Sequence, residues 1–247
     1  MRRDRRFRTG AQECDSPNWQ DNEYDMESRM DGSFKGVLVK NENRITEQKS
    51  IIICGAPRGG TSFAASAFLQ LGVPFRRNRK DRISPRKEHN RLKEAFQAED
   101  HDKMRQIIAE FCGLHPVWAW KLPAIESRFS EISAMLPNPH FVVIFKEPLS
   151  IAVRSAERRS KNPINVLQHV VAVHQRLAAI AATTEHPLLL VSYEKAMKSL
   201  PFFLETAARF AGIASYDEAA VIARIREDGR RYLGEGQTGE SAAPSSA

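Results

Sequence analysis

The stretch Ile51-Ile52-Ile53-Cys54-Gly55-Ala56-Pro57-Arg58-Gly59-Gly60-Thr61-Ser62 decides the fold. Its first four residues are apolar without interruption. That pattern marks a strand buried on both faces, as in parallel sheets sandwiched between helices. The glycine-rich run then turns the chain, and Thr61 to Leu71, closed by Gly72 and Pro74, reads as a helix. A strand, a glycine-rich turn and a helix in this order aim backbone N–H groups and a helix N-terminus at one point, which holds an anion. Thr61 and Ser62 supply hydroxyls, and Arg58 supplies a fork of donors that fits a tetrahedral oxyanion. The Walker A pattern G-x-x-x-x-G-K-[ST] lines up on Gly55, Gly60, Thr61 and Ser62, but Thr61 stands in the lysine slot. Without the lysine that holds the β- and γ-phosphates, standard triphosphate chemistry is disfavoured.

Outward from this turn, 117–122, 139–145 and 187–191 read as further strands. Ser150 to Arg159, Leu167 to Thr184, Leu200 to Ala211 and Asp217 to Arg226 read as helices. The expected fold class is α/β: a three-layer α/β/α architecture with a central parallel sheet, P-loop NTPase-like. In such sheets ligands sit at the carboxyl ends of the strands. Residues 1–47 are polar and charged, with one short strand candidate at 34–39, and read as a disordered or loosely packed arm. Residues 48–233 form the α/β domain, and 234–247, rich in Gly, Ser and Ala, read as a disordered tail.

The chain has 247 residues, enough for one such domain with tails. It carries 37 Lys+Arg against 30 Asp+Glu, a net charge of +7. That balance excludes an acidic solvating protein and favours an anionic partner: a nucleotide, a phosphate or sulfate group, nucleic acid or a membrane surface. No apolar run reaches the ~18–20 residues that span a bilayer. The Arg-rich start lacks the apolar stretch of a secretory signal, so the expected location is cytoplasmic. The 3 cysteines, Cys14, Cys54 and Cys112, have no metal-ligand spacing. A reducing compartment, no disulfide framework and no metal are expected.

The segment CGAPRGGTSF, Cys54 to Phe63, resembles the 5′-phosphosulfate loop of sulfotransferases that use PAPS, 3′-phosphoadenosine 5′-phosphosulfate. Three later segments resemble that family's in the same order. Phe141 to Ser155 is similar to the 3′-phosphate motif, where a strand ends in Arg-Asp/Asn-Pro and the next helix carries a serine. Here Lys146 replaces the arginine, Arg154 falls in the serine slot and Ser155 follows it. Lys146 keeps the charge but loses bidentate geometry. Lys146, Arg154 and Ser155 are the candidates for the 3′-phosphate, with a solvated helix face as the other reading of Arg154. Trp118-Ala119-Trp120-Lys121-Leu122-Pro123 resembles a W-x-x-K-x-P strand end. It implies that Lys121 stabilises the departing oxygen; a snorkelling lysine is the alternative. Trp118 and Trp120 are expected to alternate in facing, one toward the core and the other toward adenine or acceptor. Leu188 to Lys195, with 202–204 and 210–213, resembles the family's closing segment, in which Tyr193 and Glu194 brace the core.

The resemblance spans about 49–213 and implies sulfuryl transfer from PAPS, as co-substrate and without metal, to a hydroxyl or amine of a carbohydrate or small-molecule acceptor. It assigns Arg58, Gly59, Gly60, Thr61 and Ser62 to the 5′-phosphosulfate. The family's base, a His or a Glu after the first helix, falls on Glu88 and His89; surface positions on a basic helix are the other reading. The Arg/Lys-rich stretch 76–87 suits an acidic acceptor or is a surface loop. No recognition signature for nucleic acid accompanies the basic residues, so none is expected as partner. The alternative function is a P-loop nucleotide kinase or NTPase with a degenerate Walker A motif.

Overall fold

The computed structural model describes residues 35–42, 48–75, 88–159 and 162–233. The apolar run at 51–54 lies in β2 (Lys49–Gly55), an interior strand of a five-stranded sheet. β3 (Val117–Lys121) and β4 (Pro139–Phe145) flank it in parallel, with Ile52 opposite both Trp120 and Phe141. β5 (Leu188–Ser192) continues in parallel beyond β4. The edge strand β1 (Val37–Lys40) runs antiparallel to β5, pairing Leu38 with Leu190. The sheet order is β1-β5-β4-β2-β3. The α/β expectation therefore holds, with one antiparallel edge. That edge is built from residues assigned to the arm at the sequence level.

Side chains along β2 alternate between two cores, as pleating requires. Ile51 and Ile53 face α1 (Thr61–Gln70), α8 (Leu200–Ala211) and α9 (Glu218–Leu233), packing with Phe68, Phe203, Leu204, Val221 and Ile225. Ile52 and Cys54 face the other layer. There α2 (Glu88–Gln97), α3 (His101–Leu114), α4 (Phe129–Met135), α5 (Pro148–Arg159) and α6 (Pro163–Thr183) bury Leu92, Ile107, Ile132, Ile151 and Val173. Each fully buried aliphatic side chain contributes about 1.5–3 kcal/mol. A short helix, α7 (Tyr193–Lys198), leads from β5 into α8. No helix among the described residues is long and apolar enough to cross a membrane.

Two sequence expectations are corrected. Trp118 and Trp120 do not face opposite ways: residues two apart on a strand share a face. Both are buried in the same core, Trp118 stacked on Phe111 at 4.9 Å between ring centroids and Trp120 edge-on to Phe96 at 6.3 Å. The long helix read from Leu167 begins earlier, at Pro163, capped by Asn162. Positions 1–34, 76–87 and 234–247 lie outside the described residues.

Candidate functional site

The turn after β2 is held by its own backbone. The Gly59 N–H donates to the Ala56 carbonyl at 2.8 Å, closing a tight bend over Pro57 and Arg58. A Cβ at Gly59 would lie 2.7 Å from that carbonyl oxygen. Gly60 caps α1 in the left-handed conformation, φ 93°, and a Cβ there would strike the Tyr193 ring. A glycine cap has no side chain to satisfy the first-turn N–H groups, so an anion can take that place. Arg58 also has positive φ, 67°. Such a backbone is uncommon outside glycine and asparagine, and it puts an exposed guanidinium at the rim of the bend. Thr61 is buried on the first turn of α1, its methyl carbon turned toward Gly55.

Lys121 ends β3, next to β2, where it pairs in register with Ile53. Its Nζ donates to the Ser62 hydroxyl at 3.1 Å, so a cation from one strand end meets the first turn of α1, the helix that follows the glycine-rich turn. The chain beyond Lys121 stays alongside β2, with Leu122 N–H on the Ile53 carbonyl and Gly55 N–H on the Pro123 carbonyl.

Lys146 follows β4, the other neighbour of β2. Its ammonium stands 4.4 Å from the centre of the Tyr193 ring, the ring that covers Gly60. Burial first, then repulsion from Arg154, lowers its pKa below that of an ordinary lysine. Lys146 and Arg154 are thus electrostatic neighbours, an arrangement that a doubly charged anion would relieve. The strand-to-helix turn is fixed by two carboxylates. Glu147 accepts from Leu149 N–H at 2.7 Å and from Ser150 N–H at 2.5 Å, while Glu194 accepts from Glu147 N–H at 3.1 Å. Ser155 is buried, 8% exposed.

Ser155 and Arg58 border one cavity of about 670 Å³ between the phosphate loop, α5 and the start of α6. Pro57, Ile151, Val166 and Val170 give it aliphatic walls, and Asn162, Asn165 and His169 add polar groups. These last three went unread in the sequence. The signal was present: Asn162-Pro163 is a helix start, and Asn165 and His169 recur on its face at i+3 and i+7. Tyr193, read as a brace, also covers the loop itself.

Glu88 and His89 fall on the first turn of α2, and their side chains lie outside the described residues. The other end of α2 is anchored: Arg128 lies 4.3 Å over the Phe96 ring, donates to the Phe96 carbonyl and pairs with Glu131. A further carboxylate, Glu126, is 8% exposed beneath Arg176 at 3.3 Å and adds to the burial that raises the Cys54 thiol pKa.

The arrangement is a backbone anion cradle at the end of a central strand, with cations at the ends of both neighbouring strands. It suits a bound group with two anionic centres better than a metal. Its architecture is that of a P-loop NTPase-like α/β protein. No family model and no curated protein matches the sequence. Solved structures do match in fold. The sulfotransferase domain from the curacin biosynthetic pathway superposes with a TM-score of 0.51 at 17% identity, over 69% of this chain and 76% of that one. The sulfotransferase domain from the Synechococcus PCC 7002 olefin synthase gives 0.54 at 14% identity, over 84% and 93%. The fold of this chain is thus similar to that of sulfotransferase domains.

Proposed function

We propose that this protein transfers the sulfuryl group of PAPS to a hydroxyl or amine of a small-molecule or saccharide acceptor. The observation that carries the reading is the Lys121–Ser62 contact of 3.1 Å beside a phosphate loop whose lysine slot holds Thr61. The loop cation is thereby supplied from β3 and from Arg58 rather than from the Walker lysine. In this reading Gly59, Gly60, Thr61, Ser62 and Arg58 hold the 5′-phosphosulfate, and Lys146, Arg154 and Ser155 hold the 3′-phosphate. Lys121 neutralises the oxygen that leaves sulfur, and such a donor acts most strongly on charge that develops in the transition state. Glu88 and His89 stay as proposed bases on α2. A cytoplasmic setting belongs to the same reading.

Thermal melting with PAP, the desulfated nucleotide, against Mg-ATP tests the reading. PAP at a hundred times its dissociation constant adds about 2.7 kcal/mol by mass action. For a domain of this size that raises Tm by roughly 5–10 °C. Arg58→Ala abolishes the shift. A larger shift with Mg-ATP than with PAP would place the protein among P-loop kinases or NTPases instead.

A further inference from the structure

We propose that Tyr193 makes this protein select a nucleotide that carries a 3′-phosphate, acting as the positioning residue that holds the Lys146 ammonium in place; this rests on the sulfuryl-transfer reading above. Lys146 and Tyr193 leave neighbouring parallel strands at one level, because Phe145 at the end of β4 pairs in register with Ser192 at the end of β5. The Lys146 Nζ stands over the Tyr193 ring, 4.4 Å from its centre, well inside the ~6 Å reach of a cation–π contact. The ring itself has little freedom. It meets Phe63 nearly perpendicularly, with centroids 5.5 Å apart, and Phe63 stacks at 5.0 Å on Phe203, which is fully buried in the core. Gly60 lies against the same ring, with no room for a Cβ between them.

A lysine needs such a seat more than an arginine would. Its ammonium is a point charge on a flexible four-carbon stem, whereas a guanidinium carries a rigid fork of donors. Arg154 repels the Lys146 ammonium, while Glu194 and Glu147 attract it. Both carboxylates already serve the turn into α5: Glu194 accepts from Glu147 N–H at 3.1 Å, and Glu147 accepts from the Leu149 and Ser150 N–H groups. The electron-rich face of the ring adds a further attraction that is fixed in space and weaker than that of a phosphate dianion. It stations the cation over the ring that also touches the last glycine of the phosphate loop. A nucleotide charged at both its 5′ and 3′ positions then meets a lysine already in place, and less side-chain freedom is lost on binding. A nucleotide without the 3′-phosphate gains nothing from this arrangement. The ring thereby contributes to the preference for PAP over 5′-AMP, and for PAPS over adenosine 5′-phosphosulfate.

Isothermal titration of the full chain with PAP and with 5′-AMP, which lacks the 3′-phosphate, tests this through the ratio of the two dissociation constants. Tyr193→Phe keeps an aromatic face and is expected to hold the wild-type ratio within about twofold. Tyr193→Leu is expected to lower the preference for PAP about tenfold, the worth of a partly desolvated cation–π contact, through loss of PAP affinity alone. In a Lys146→Met background the same Tyr193→Leu change is expected to leave the ratio where it was. Phenylalanines of rising fluorine content at position 193 keep the ring's shape while draining electron density from its face. The preference for PAP is expected to fall along that series, which does not depend on Tyr193→Leu folding. A ring that merely packs on Gly60 would weaken PAP and 5′-AMP alike on Tyr193→Leu. That outcome, a flat fluorine series, or an equal effect of Tyr193→Leu with and without Lys146 overturns the assignment and leaves the sulfuryl-transfer reading standing. A wild-type protein that ignores PAP removes that reading itself, and this assignment with it.

Discussion

A methyl group at position 60 would collide with the Tyr193 ring while its backbone stayed at φ 93°. Gly60→Ala is therefore expected to destabilise the fold by about 2–5 kcal/mol, about 1–2 from the left-handed backbone and about 1–3 from overpacking. Urea unfolding measures this. In a Tyr193→Ala background the steric share is expected to disappear and the backbone share to persist; equal costs in both backgrounds would show that the ring is not the obstacle. Lys146 gives a prediction in pH. Its ammonium has a pKa lowered from 10.5 by burial and by Arg154. If Lys146 holds the 3′-phosphate as proposed, its charged form is required, so PAP affinity is expected to fall as pH rises through that lowered value, earlier than for an ordinary lysine. Lys146→Arg keeps its charge and carries the loss to higher pH. Isothermal titration from neutrality up to 10.5 checks this, and a flat wild-type affinity would refute it.

Among the elements, α6 has the most to lose at its start. Asn162→Ala removes the acceptor for two backbone N–H groups and is expected to cost about 0.5–2 kcal/mol. Exchange of the Ile164 and Asn165 amides with deuterium is expected to accelerate, while that of β4 stays slow; unchanged exchange at the helix start would show that the cap is dispensable. The strand-level reading succeeded where the code is strongest, in the near-continuous apolar runs at 51–54 and 139–145. It failed where the signal is mixed. Helix α3 went unread: it sets Met104, Ile107, Ile108 and Phe111 at helical spacing, but charged and polar residues stand between them. The tryptophan error was one of period: a strand repeats every two residues, so Trp118 and Trp120 had to share a face. The phosphate loop was legible because its residues are contiguous. The wall that Asn162, Asn165 and His169 form beside Ser155 was not, because it exists only once α5 and α6 pack together.

At the scale of the whole molecule, β1 closes the outer side of β5. Val37, paired opposite Val191, is buried there. Asn41 donates to the carbonyls of Thr184 and His186. Removing residues 1–42 is expected to destabilise the domain by about 1.5–3 kcal/mol for the Val37 side chain alone, read by thermal or urea unfolding; a truncated chain as stable as the full one would show the strand to be ornamental. The sequence offered a short strand candidate at 34–39 here but left it within the arm, because four residues with one polar end carry little periodicity and their partner β5 lies far along the chain. Lys40 adds a second tie, donating to the carbonyls of Ala181 at 2.8 Å and Ala182 at 3.0 Å. Those carbonyls belong to the far end of α6, a 21-residue rod about 30 Å long. Its near end, with Asn162, Asn165 and His169, lines the cavity beside Arg58. The outermost strand is thereby moored to the same shaft, one end of which is buttoned to the sheet's rim while the other borders the cavity beside Arg58.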